Sequence, residues 1–282
     1  MSAPPESDVL QIENVPANAS SPPGGVVSVW TIQRPDKLNA LNAEVNSALK
    51  SASSWAEADD SVRVIIITGS GPNDPPEGKR PKPNSFAAGA DISEFQGKSS
   101  EDVRPIFDDN SWEAIWNLTK PTIAMVDGFA LGGGLEQALA CDIIVAADHA
   151  EFGLPEPRRG LIAGSAGVHR LPRQIGLKPA MGYMLTGRHM TAQRAYELGL
   201  VNQVVPMERL DQTVEEWVSD ILRCAPLAVR ATKQAAMCGL GHSLPQAFYT
   251  AYPAERLRQK SEDAYEGPRA FAEKRPPNWT GR

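Results

Sequence analysis

The stretch "PTIAMVDGFALGGGLEQALACDIIVAAD", residues 121–148, decides the fold class. Residues 121–130 and 141–148 are short apolar runs of the kind that form strands buried on both faces of a parallel sheet. Between them lie Gly132, Gly133 and Gly134, followed by Leu135 to Ala140, which favour helix. Glycine is poor inside a helix and permissive just before one, so the three glycines predict a tight helix start. Strand, helix and strand in close succession imply a β-α crossover and parallel pairing. Amide groups at such a helix start are unpaired, with the helix dipole behind them, which makes the place suitable for a negative oxygen. Glu136 stands one turn inside, close enough to act on whatever is held there.

Working outward, "GVVSVWTIQR" (25–34) and "VRVIIITGS" (62–70) read as further strands, and "NAEVNSALKSASSWAE" (42–57) reads as a helix between them. After Pro206 the spacing turns helical, from "ERLDQTVEEWVSDILRCA" onward, with no further strong strand. The expected organisation is a loose lead-in over 1–25, rich in Pro, Ser and Ala, an α/β core over 26–206, and a helical part over 207–282. "GSGPNDPPEGKRPKPNS" (69–85) carries too many prolines for regular structure and predicts a long surface loop. No internal sequence repeat is present.

Composition narrows the function classes. The 282 residues fit one large domain, or one with an appendage, and contain no apolar run long enough to span a membrane. A net charge of −6 argues against a general nucleic-acid binder, though not against an anionic ligand held by local basic groups. Cys141, Cys224 and Cys238 lack metal-type spacing and read as reduced thiols of an intracellular protein. The N-terminus lacks a signal-peptide core and arginine-rich character, and Thr280-Gly281-Arg282 is no peroxisomal address, so the cytoplasm is the expected location. His149, His169, His189 and His242 are scattered without a metal pattern. A dinucleotide loop would need glycine at 137, where Gln137 stands.

Three pieces carry the chemistry: "SFAAGADISEF" (85–95), the "GGGLE" of 132–136, and "AEFGLPEPRRGLIAGSAGVHRLPRQIG" (150–176). Together with "RPDKLNALN" (34–42), "LTGRHMTAQRAYELGLVNQVVP" (185–206) and "FAEKRPPNW" (271–279), they resemble the crotonase family of enoyl-CoA hydratases and isomerases over roughly residues 26–279. The resemblance implies a spiral of ββα units followed by helices that build trimers, often paired into hexamers. It implies an acyl-CoA substrate, with no metal or redox cofactor, coenzyme A being part of the substrate. By motif match the thioester oxygen is held by the backbone amides of Ala90 and Gly133, and two glutamates, Glu136 and Glu156, act on one water. Lys37, Ala88, Asp91, Ile92, Gly132 and Gly164 match positions around the substrate, and Lys274 matches one from which a neighbouring subunit reaches the nucleotide.

Further expectations follow from the resemblance. Trp112 and Trp116, four residues apart on one helical face, are candidates for the wall of the acyl pocket, with ordinary core as the alternative. His169 lies close to the second glutamate's loop, and the proline-rich loop, with Lys79, Arg80 and Lys82, is placed to fold over the CoA entrance. Pro157, and "IAGSAG" where Pro-Gly-Ala-Gly-Gly is commoner, depart from the usual pattern. Arg158 and Arg159 are candidates for attracting a second substrate carboxylate, as in a methylglutaconyl-type acyl-CoA. Two glutamates favour hydration over Δ3,Δ2-enoyl-CoA isomerisation, where one acid/base group suffices. An RNA-binding role and an inactive scaffold are the alternatives from other classes.

Overall fold

The computed structural model describes residues 3–17, 25–73, 80–99, 101–102 and 110–282. Ten strands run along these residues: β1 (Leu10–Pro16), β2 (Val26–Ile32), β3 (Val62–Gly69), β4 (Ser85–Ala87), β5 (Thr122–Val126), β6 (Phe129–Leu131), β7 (Ile143–Ala147), β8 (Glu151–Gly153), β9 (Met190–Thr191) and β10 (Gln203–Val205). They form a six-stranded sheet of order β1-β2-β3-β5-β7-β10 and a four-stranded sheet of order β4-β6-β8-β9. From β2 to β10 the first sheet is parallel, and only β1 runs antiparallel to its neighbour. In the second sheet β4, β6 and β8 are parallel and β9 is antiparallel.

The chain alternates between the sheets. β3, β5 and β7 enter the larger sheet, and each is followed by a short strand, β4, β6 or β8, in the smaller one. This is the ββα spiral. It corrects the reading of 121–130 as one strand: the run breaks at Asp127-Gly128, and its halves enter different sheets. A Cβ at Gly128 would lie 2.1 Å from the Asn84 carbonyl oxygen, so the corner has no room for a side chain.

Helices α1 (Ala43–Ala58), α2 (Trp112–Trp116), α3 (Gly133–Ala140), α4 (Gly167–Ile175), α5 (Leu177–Thr186) and α6 (Ala192–Glu197) connect the strands. The Asn42 side chain caps α1 by accepting from the Val45 amide at 3.0 Å. At its other end the buried Lys120 ammonium donates to the carbonyls of Ala56 and Asp59. A cation at a helix C-terminus meets the negative end of the dipole, and desolvation pulls this lysine down to about 8. The main core lies between the sheets and under α1 and α3, with Trp30, Phe86, Ile115, Leu135 and Phe152 fully buried.

Two expectations about organisation change. Residues 10–16 are not a loose lead-in: β1 pairs with β2 from Leu10↔Ile32 to Pro16↔Val26. Leu10 is buried, while most of β1 is exposed edge, which left only a weak pattern in the sequence. The boundary at 206/207 does not separate the C-terminal helices from the core. α7 (Leu210–Leu222) lays Leu210, Val214, Val218 and Leu222 on the back of the larger sheet, against Val64, Ile66, Ile123 and Val145. Beyond it, α8 (Pro226–Gly239), α9 (Leu244–Tyr249), α10 (Pro253–Gln259) and α11 (Asp263–Ala272) complete the chain.

Candidate active site

The three glycines each meet a different constraint. Gly132 caps α3 with φ +53° and ψ −125°, a backbone that L side chains avoid. Gly134 packs on β4 so closely that a Cβ there would sit 1.9 Å from the Ala87 carbonyl oxygen. Gly133 lies against the loop after β4, where its Cβ would stand 3.6 Å from the Ala90 nitrogen. That loop is held in place by Leu41, whose amide donates to the Gly89 oxygen at 2.8 Å and whose oxygen accepts from the Asp91 amide at 2.9 Å. Ala90 itself pairs with Leu41 in an isolated parallel bridge, and its nitrogen lies beside the start of α3. Among the described residues neither the Ala90 nor the Gly133 amide has an acceptor.

Both glutamates face the same solvent-open pocket. Glu136 is 2% exposed, and its Oε1 accepts from the amides of Ser165 at 2.8 Å and Gly167 at 2.7 Å, at the start of α4. Burial pushes its carboxyl up to about 7, against the pull of the Gly167 amide. The negative charge of Glu156 adds to the rise. Glu156 opens a 3-10 turn, Glu156–Arg159, directly after Pro155. Its Oε2 is buried without a hydrogen-bond partner among the described residues, and burial raises its carboxyl too. A Cβ added at Gly132 would stand 2.8 Å from Glu156 Oε1, so this glycine also makes room for the carboxylate.

The pocket wall contains Ala88, Ala90, Ile92, Gly132, Gly133, Glu136, Glu156 and Gly164 of the expected set, and Arg159 as well. Lys37 and Asp91 are not in the wall. Lys37 ends an exposed 3-10 turn, Pro35–Lys37. Asp91 is turned into the scaffold: Ser93 donates to its Oδ1 from the hydroxyl at 2.6 Å and the amide at 3.1 Å, and Arg34 pairs with Oδ2 at 2.8 Å. The Ser93 hydroxyl and then Arg34 hold the Asp91 carboxyl down at about 2. Its part is to brace the loop that presents Ala90.

Other expectations sort themselves in the same way. Trp112 and Trp116 do not wall the pocket; both pack on the guanidinium of Arg170, at 5.6 and 4.2 Å from ring centroid to Cζ. Arg158 points away from the pocket, its Nε donating to the Thr186 oxygen at 2.9 Å. His169 is exposed on α4 and outside the wall, and Lys274 is exposed beyond α11. Lys79 and the rest of 74–79 in the proline-rich loop lie outside the described residues. Near the end of that loop, Lys82 donates to the Asp36 carbonyl, beside Lys37. The sequence reading missed the polar part of the wall, Asn46, Asn110 and Gln137, and the amides of Ser165 and Gly167. No pattern in the sequence marked them, because α1, α3 and the start of α4 meet only in the folded chain. Among the described residues no group of His, Cys, Asp and Glu is arranged to hold a metal ion.

Gly133 at the start of α3 and Ala90 in the loop after β4 line the same pocket as the two glutamates. The sequence profile of the enoyl-CoA hydratase/isomerase family matches residues 23–282. The chain belongs to that family. Among relatives of this crotonase, a probable enoyl-CoA hydratase of Mycobacterium tuberculosis is 37% identical over 256 residues, 91% of this chain and 95% of the relative. The 2,3-dehydroadipyl-CoA hydratase of Escherichia coli is 36% identical over 264 residues, covering 91% of this chain and 96% of its own. The crystal structure of an enoyl-CoA hydratase from Bacillus anthracis superposes on this crotonase with a TM-score of 0.84 at 33% identity, covering 96% of this chain and 99% of the other.

Proposed function

We propose that this crotonase is an enoyl-CoA hydratase, adding water to a trans-2-enoyl-CoA to give the 3-hydroxyacyl-CoA, or running the same step as a dehydration. The observation that carries the reading is the pair Glu136 and Glu156 in one pocket beside the free amides of Ala90 and Gly133. The thioester oxygen accepts from those two amides, and the charge that develops on it in the enolate is met by the start of α3. Each such donor is worth about 3 kcal/mol of transition-state stabilisation. Glu136 takes a proton from water as its oxygen adds to C3, and Glu156 gives a proton to C2. Burial raises both carboxyls, so the roles are assigned from the hydrogen bonds: two amides donate to Glu136 and favour its ionised form, whereas Glu156 Oε2 has no donor among the described residues. The step balances as one water added, with no electron transferred, so it calls for no redox cofactor. Coenzyme A enters as part of the substrate.

The test is a panel of short, long, branched and dicarboxylic trans-2-enoyl-CoAs, followed by loss of the conjugated thioester absorbance. Hydration of any class supports the reading. Conjugation retained throughout, with a 3-enoyl-CoA gaining it, would replace hydration by isomerisation. Gly132→Ala is expected to lower stability, read by thermal unfolding, and to lower kcat about 100-fold, since the backbone there strains any L residue and a Cβ displaces the Glu156 carboxylate.

The crotonase is further proposed to assemble as a trimer or a dimer of trimers. In support, Leu240, Leu244, Phe248, Tyr249, Leu257, Tyr265 and Phe271, on and around α8 to α11, are each more than half exposed, a large apolar surface to leave in water. Light scattering on the eluting protein is expected to give about three or six times the 30.4 kDa chain mass. A monomer at micromolar concentration would refute the assembly. The acidic net charge of −6 supports no role in nucleic-acid binding, and no helix among the described residues is long and apolar enough to cross a membrane.

A further inference from the structure

Behind the glutamates lies a charge that the proposed chemistry does not use. Arg170, on α4, is 8% exposed. Its guanidinium is stacked on the indoles of Trp116, at 4.2 Å, and Trp112, at 5.6 Å. Its Nη1 donates to the main-chain oxygen of Glu136 at 3.3 Å, while Nε and Nη2 are buried with no partner among the described residues. A desolvated guanidinium with idle donors is costly to keep, and two ring faces offset only part of that cost. A hydrophobic side chain would pack here at lower cost, unless the positive charge has a use.

The use lies in what α4 does to Glu136. The first turn of α4 holds the carboxylate through the Ser165 and Gly167 amides, and one turn later Arg170 reaches the carbonyl of the same residue. We propose that Arg170 is a positioning residue for Glu136: a buried guanidinium, clamped on Trp112 and Trp116, that holds the α3 main chain and sets a fixed positive charge behind Glu136. The charged and titratable surroundings support the assignment. On α3, Arg170 faces Glu136 and the Cys141 thiol, which burial pushes up to about 12 and so keeps neutral. On α2, Glu113 is exposed, as are His169 and Arg173 on α4 itself and Lys178 on α5, and Tyr183 of α5 interacts with Arg194. Glu136 in turn faces Glu156 and Arg170 as its charged neighbours.

The sign of the effect does not depend on which glutamate is acid and which is base. A positive charge favours the ionised carboxyl, so its removal raises the titration midpoint of Glu136 and moves the limb of the pH profile that Glu136 governs to higher pH. A residue that merely filled space would leave the midpoint alone.

This inference rests on the hydratase reading for its kinetic readout, and a second readout is independent of turnover. The protein is labelled with carbon-13 at the glutamate side-chain carboxyls, and Glu136 is assigned by the resonance lost in Glu136→Gln. Arg170→Met is expected to raise the Glu136 midpoint by about half a pH unit, and Arg170→Lys to leave it within about 0.2 of wild type. Where wild type hydrates an enoyl-CoA, the corresponding limb of kcat/KM shifts by the same amount. A folded Arg170→Met with an unchanged midpoint overturns the proposal. Should that variant not fold, Trp116→Leu, which keeps every charge and loosens the clamp, is expected to raise the midpoint and lower kcat at unchanged KM; no change in either refutes the clamp. If wild type hydrates no enoyl-CoA, the hydratase reading fails, and the carboxyl titration still decides the part played by Arg170.

Discussion

Glu136→Gln and Glu156→Gln each lower kcat for hydration by about 100- to 10,000-fold, the range expected when a positioned acid or base is lost. The double variant is expected to be little worse than either single one, because the two carboxyls act on one water as a unit. Neither change should disturb the fold. In Glu136→Gln the new side-chain amide oxygen can still accept from the Ser165 and Gly167 amides. The same substitution has a second consequence, for stability. Glu136 is raised from 4.5 to about 7 in the folded chain, chiefly by burial. A carboxyl raised on folding favours the folded state below its unfolded value, near 4.5, and that contribution is lost as pH rises through about 7. Glutamine does not ionise, so Glu136→Gln should become the more stable protein as pH climbs from 5 to 8, by an amount on the order of 3 kcal/mol. Asp127, raised to about 6 by burial, is present in both proteins and cancels in the difference. Thermal unfolding of the pair across this range checks the sign; a gap that stays constant with pH would mean that Glu136 is not protonated on folding. A hydration rate within tenfold of wild type in either variant would remove the two-glutamate mechanism.

Gly134→Ala is expected to be among the most damaging methyl additions at the described glycines. The added Cβ would lie 1.9 Å from the Ala87 carbonyl oxygen and 2.7 Å from its carbon. These are backbone atoms of β4, which no rotamer change can move aside. Ordinary overpacking costs about 1–3 kcal/mol, and a clash that parts α3 from β4 should exceed that range. Activity should fall further than stability, because Ala87 leads directly to Ala88 and Ala90, and shifting reacting groups by about 1 Å costs on the order of 100-fold. Chemical denaturation and kinetics on the residual folded protein separate the two effects. Gly71, whose Cβ would meet nothing within 4 Å, provides the control: Gly71→Ala should be near neutral in both.

How much of this was legible can be judged at particular residues. The glycine run predicted a helix start, and α3 begins at Gly133, with Glu136 in its first turn. "VRVIIITGS" predicted a buried parallel strand, and β3 lies between β2 and β5. These features are local: propensity, periodicity and the unpaired amides of a helix start are properties of a few consecutive residues. Trp112 and Trp116 show where local reading stops. Their shared face was evident, and whether a pocket or a core lay beneath it was not; the answer is Arg170, more than fifty positions away in the chain. Asp91 shows the same limit from the other side. Its motif placed it beside the substrate, yet its carboxylate is taken by Ser93 and Arg34.

By itself, then, the sequence determined the α/β alternation, the parallel strands, the helix start at the three glycines and the two glutamates as the groups to watch. Each of these is written in short-range pattern or in a motif. Only the tertiary structure decided that 121–130 splits between two sheets, that residues 10–16 close the edge of the larger sheet, and that α7 belongs to its back face. It alone brought Ser165, Gly167 and Arg170 onto Glu136, and set Ala90 against Gly133. The reason is physical. A strand's sheet, a carboxyl's proton affinity and an amide's aim depend on what lies across a gap of a few ångströms. Those neighbours come from segments tens of residues apart, joined by packing that no local window contains.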